Sequence, residues 1–129
     1  MVKGDGMNSK ARDIVERTFQ FALAVVRFSR ENDHRESGCR VLARQLMRSA
    51  TSVGANVEEA QAGQSRADFI SKYCIALKEA REARYWLRLL MESSTRPTQT
   101  GPALRQEAEE IMRILGAIIV KAKRNATPK

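Results

Sequence analysis

Between Leu104 and Ala122 one set of apolar residues follows the i, i+3, i+4, i+7 pattern: Leu104, Ala108, Ile111, Met112, Leu115, Ile118, Ile119 and Ala122. At ~100° per residue they share one face of a helix, and that face must be buried against another element. The pattern repeats upstream. Leu42, Leu46, Ser49, Ala50, Val53, Val57 and Ala60 form a narrow face, and Ile14, Val15, Phe21, Ala22, Val25, Val26 and Phe28 a broader one. No segment alternates with the period of two that a half-buried strand requires. The chain is therefore expected to be all-α.

Turn chemistry sets the boundaries. Ser9 is placed to cap a first helix, and Glu31-Asn32-Asp33-His34 ends it. Ser37-Gly38 opens a second helix, closed near Gly63, a residue suited to a left-handed C-cap. Ser65-Arg66-Ala67-Asp68 has capping-box spacing with Asp in place of Glu. Pro97 and Gly101-Pro102 punctuate the last connection, and Pro102 suits the first helical position. The expected helices are 9–30, 38–62, 66–93 and 102–124, between a disordered leader (1–8) and a disordered tail (125–129). The short second connection demands a hairpin. The fold expected is one up-down-up-down antiparallel four-helix bundle. At 129 residues it needs neither metal nor disulfide to form a core.

The third helix carries two apolar sets. Phe69, Ile70, Tyr73, Ala76, Leu77, Ala80, Ala83, Leu87 and Leu90 form its main face. Ile75, Tyr85, Trp86 and Leu89 lie roughly opposite. A bundle helix needs only one stripe for its own core, so the second set is expected to form an oligomer interface. Asn56, Glu59, Glu82 and Arg84 flank or enter apolar faces and are expected to form a structural polar cluster, within or between subunits, because a buried charge requires a partner.

Chemistry-bearing motifs are sparse. His34 is the single histidine, and no Glu-x-x-His pair exists for a di-iron bundle. Cys39 and Cys74 make neither a disulfide framework nor a zinc site and are expected to be free thiols. No Gly-rich phosphate loop occurs, and Gly54, alone in a helix, is expected to serve close packing. No catalytic, metal or cofactor site is expected. No run of about 20 apolar residues is present to span a membrane, and the expected location is the cytoplasm.

The net charge is +8. From Ile111 onward every charged side chain is basic. Arg40, Arg44 and Arg48 repeat every fourth residue along the second helix. Lys78, Arg81, Arg84 and Arg88 form a ridge on the third, and Lys121, Lys123 and Arg124 crowd the end of the fourth. Such ridges attract polyanions. They also solubilise, and the terminal group complements a helix dipole. Of these, Arg40, Arg44, Arg48, Lys78, Arg81, Arg88, Lys121, Lys123 and Arg124 are the candidate nucleic-acid contacts.

The segment Arg48-Ser49-Ala50-Thr51-Ser52-Val53-Gly54-Ala55-Asn56-Val57-Glu58-Glu59-Ala60 closely resembles the bacterial four-helix bundle proteins encoded in intervening sequences of large-subunit ribosomal RNA genes. So do Asp68-Phe69-Ile70-Ser71-Lys72, Ile75-Ala76-Leu77-Lys78-Glu79-Ala80 and Glu82-Ala83-Arg84-Tyr85-Trp86-Leu87. Many relatives have Pro at Gly54 and Gly at Ala60. The resemblance implies an up-down bundle that assembles as a homopentameric ring. It also implies kinship with accessory proteins of diversity-generating retroelements, which bind a reverse transcriptase and nucleic acid through a basic surface. The expected function is a non-catalytic homo-oligomeric scaffold for RNA or DNA. The alternative is a protein-only adaptor that docks another protein through Trp86 or an exposed apolar edge.

Overall fold

A computed structural model describes residues 6–31, 37–94 and 99–126. They form four helices: α1 (Gly6–Glu31), α2 (Ser37–Gln61), α3 (Arg66–Ser93) and α4 (Thr100–Ala126). Among the described residues there is no strand. Each helix packs on its two neighbours in the order α1–α2–α3–α4–α1, and the backbones of the diagonal pairs stay apart among the described residues. This is a four-helix bundle whose core is the space enclosed by the four apolar stripes. The connections 32–36 and 95–98, with His34 and Pro97, lie outside the described residues, as do 1–5 and 127–129 of the expected leader and tail.

The core follows the periodicity. Ile14, Phe21 and Val25 meet Leu46, Val53 and Val57, closed by Tyr73, Leu87, Ile111 and Leu115. The α3 stripe is unusual in being small, with Ala76, Ala80 and Ala83 all fully buried. Small side chains let α3 approach its neighbours closely. Two buried hydroxyls stay satisfied within their own helices: Thr18 Oγ1 donates to Ile14 O at 2.8 Å and Ser49 Oγ to Gln45 O at 3.0 Å.

Several local features differ from expectation. α1 begins at Gly6, so Ser9 lies inside it and does not cap it. α4 begins at Thr100, which makes Pro102 its third residue. A proline is tolerated there because the first four helical N–H groups have no intrahelical partner. Gly63 is not a left-handed cap, since no described glycine has positive φ. α2 ends instead by tightening: Ala62 N donates to Glu59 O at 3.1 Å and Gly63 N to Ala60 O at 3.2 Å. Glycine suits this turn because an added Cβ would sit 3.1 Å from Ala60 O. The start of α3 is as expected, with Ser65 Oγ accepting from Asp68 N at 3.1 Å. A Cβ on Gly54 would meet Thr18 O at 3.3 Å, so Gly54 marks the close approach of α2 to the α1 backbone.

Candidate nucleic-acid interface

The basic residues divide by what faces them. Arg48 is compensated: its guanidinium donates to Glu82 Oε1 and lies 3.6 Å from Glu79 Oε1. Glu82 Oε1 also accepts from Trp86 Nε1 at 3.1 Å. Glu79 is only 13% exposed, and among the described atoms its Oε1 receives no hydrogen bond. Arg88 pairs with Glu92 at 2.8 Å along α3. Their mutual hydrogen bond raises the Arg88 pKa and lowers that of Glu92. By contrast, Arg44, Lys78, Arg81, Lys121 and Arg124 are exposed and have no carboxylate partner among the described residues. Arg40 and Lys123 are exposed as well.

The strongest charge network was not anticipated. Arg17 of α1 grips Glu107 of α4 with two bonds, at 2.6 and 3.1 Å, and reaches Glu110 at 3.1 Å. Hydrogen bonding to Glu107 is the main cause of a raised Arg17 pKa. No single-helix projection reveals this bridge, because its members lie 90 residues apart. A second unforeseen element is the Tyr73 hydroxyl, which accepts from Gln61 Nε2 at 3.0 Å while its ring stacks on Phe69.

The expected polar cluster does not form within one chain. Asn56 donates to Ser52 O at 2.8 Å. Glu59 pairs with Lys72 at 3.1 Å, Glu82 with Arg48, and Arg84 lies 3.7 Å from Glu109. Asn56 turns back onto its own helix, while the three charged side chains reach across helix boundaries to an opposite charge. The second apolar set of α3 is also graded. Ile75 is 39% and Tyr85 56% exposed, whereas Trp86 and Leu89 are half-buried. The Tyr85 and Trp86 rings meet edge to face, 5.1 Å apart.

The remaining chemistry is plain. Cys39 and Cys74 are free. The described residues hold no group of three or more His, Cys, Asp or Glu placed for a metal. No described helix is long and apolar enough to cross a membrane.

Four helices in this order, with this pattern of apolar faces, match known proteins. The sequence profile of a family described as 23S rRNA-intervening sequence protein matches residues 10–117. The chain belongs to this family. The 23S rRNA-intervening sequence protein profile thus spans α1 through most of α4, including the outer helices. A solved structure from Bacteroides thetaiotaomicron VPI-5482, a protein of unknown function from the S23 ribosomal protein family, is 38% identical. It covers 85% of this chain and 97% of its own, with a TM-score of 0.77. No curated protein matches.

Proposed function

We propose that this protein is a non-catalytic homo-oligomeric scaffold that binds RNA or DNA through basic surface on α2, α3 and the end of α4. One observation carries the reading: the exposed cations Arg44, Lys78, Arg81, Lys121 and Arg124, which have no carboxylate partner among the described residues. Nearby acids engage several other arginines, whereas these five ridge and end residues keep their charge available to phosphates among the described residues. Arg48 and Arg88 contribute less than their spacing suggests, because Glu82 and Glu92 already engage them. Copies of the chain in an assembly multiply the charge, and exposed Ile75 and Tyr85 on α3 favour such an assembly. The pentameric ring implied by the sequence resemblance is the arrangement we favour. The cytoplasm, with its nucleic acid, is the proposed compartment.

With few exposed aromatics, binding is expected to be sequence-tolerant and dominated by phosphate contacts. Fluorescence anisotropy with mixed-sequence RNA and DNA tests this. Binding at low salt that collapses at moderate salt supports it, and a flat response at low salt refutes it. The exposed Tyr85 edge favours a second reading, a protein adaptor that includes a reverse transcriptase among its partners. That reading predicts complex formation without any nucleic acid.

A further inference from the structure

A groove of about 450 Å³ opens at the end of the bundle where α2 turns into α3 beside the last turns of α4. Its walls carry Gln61, Arg66, Phe69, Ile118, Lys121 and Asn125. The volume lies in the range of small-molecule sites, roughly 300–1,000 Å³. The lining divides by chemistry. Phe69 and Ile118 give an apolar floor, and the Phe69 ring is held by stacking on buried Tyr73 at 4.3 Å. Arg66 and Lys121 are exposed cations without a carboxylate partner among the described residues. Of the acids nearby, Glu59 is held by Lys72, and Asp68, beside Gly63 at the groove's edge, forms an ion pair with neither cation among the described residues. Gln61 is fixed, since its Nε2 donates to both Val57 O and Tyr73 Oη, which leaves its carbonyl oxygen to accept. The N-terminal end of α3 is offset there by the C-terminal ends of α2 and α4, so the positive potential of the groove comes from its two cations.

Two cations, a held acceptor and an aromatic floor in one concave site suit an anion joined to a flat ring that carries amino groups. We infer that this groove binds the terminal nucleotide of a nucleic-acid strand bearing a phosphate monoester. Arg66 and Lys121 take the phosphate, Phe69 and Ile118 underlie the base, and the Gln61 carbonyl accepts from an exocyclic amine. The inference deepens the nucleic-acid reading above and rests on it. The ridges hold the strand's interior phosphates, and the groove selects its end.

The test compares short single-stranded oligonucleotides ending in a 5′-phosphate, a 3′-phosphate or hydroxyls, by anisotropy. A terminal phosphate is expected to tighten binding roughly tenfold, as one charge-assisted hydrogen bond would. R66A/K121A is expected to erase that difference. A ridge variant, R44A/R81A, is expected to weaken all three oligonucleotides alike. In parallel, adenosine 5′-monophosphate is titrated while backbone amide resonances of Gln61, Phe69 and Lys121 are followed by NMR. They should move with the monophosphate and much less with adenosine or inorganic phosphate. Equal affinity for all three oligonucleotides overturns the groove assignment and leaves the ridge reading intact. No oligonucleotide binding at low salt overturns both, whatever the mononucleotide does.

Discussion

Gly54 and Gly116 sit in similar helical contexts and should respond oppositely to substitution. A side chain at Gly54 would press on the backbone of Thr18, whereas one at Gly116 would meet nothing within 4 Å. Gly116→Ala is therefore expected to stabilise by about 0.5–1 kcal/mol, the usual gain from replacing a helical glycine. Gly54→Val should destabilise by about 2 kcal/mol, because overpacking against backbone outweighs any relief. Thermal melts of the two variants should shift in opposite directions. Tyr73 makes a prediction in pH. Burial raises its pKa, and the Gln61 bond only partly opposes this. The unfolded phenol ionises near pH 10 while the folded one keeps its proton, so the unfolded state binds fewer protons above that pH. Stability is therefore retained below about pH 10 and lost as the pH rises beyond it. Tyr73→Phe should cost about 1 kcal/mol at neutral pH through the lost hydrogen bond. It should also flatten the alkaline decline seen in denaturant melts.

Between elements, two ionic bridges stand out, Arg17 to α4 and Arg48 to α3. Removing Arg48 leaves Glu79, 13% exposed, beside Glu82 with no cation at hand. Arg48→Ala is expected to destabilise by about 1 kcal/mol, the upper end for a half-exposed ion pair, because the mostly buried Glu79 loses its counter-charge. Adding Glu79→Gln should recover part of that loss. If the double variant melts no higher than R48A, repulsion at Glu79 is not the cause. The element boundaries were largely legible in the sequence, since periodicity and turn residues act locally. The Ser65 cap is such a case, a Ser three residues before the amide it binds. The cross-helix pairs were not legible. A helical projection places Glu82 and Arg84 on a face but does not say which neighbour supplies the opposite charge, and here the partners are Arg48 and Glu109. Gly63 was misread for a related reason. Glycine relieves a close backbone contact as readily as it permits positive φ, and only the fold distinguishes the two.

At the scale of the whole molecule, the broad apolar face of α1 and the second set on α3 exceed what one core needs. Phe19 is 53% exposed, and with Ala22, Leu23 and Val26 it borders a groove against Gly54 and Ala55 of α2. Tyr85 and Ile75 stand out from α3. Light scattering is expected to give a mass that is a multiple of the 14.5 kDa chain. Tyr85→Glu should lower that mass while leaving helical content unchanged. A monodisperse single chain at micromolar concentration would remove the assembly from the account. The candidate site was half legible: counting basic residues found the ridges, but only the fold separated Arg44 and Arg81 from the neutralised Arg48 and Arg88.

The most direct test of the central claim is the salt dependence of nucleic-acid affinity. The logarithm of the binding constant should fall linearly with the logarithm of salt concentration, with a slope of about −0.7 per phosphate neutralised on a single strand. R44A/R81A should make that slope shallower. A protein that binds no RNA or DNA at low salt, or binds with an affinity indifferent to salt, would contradict the account.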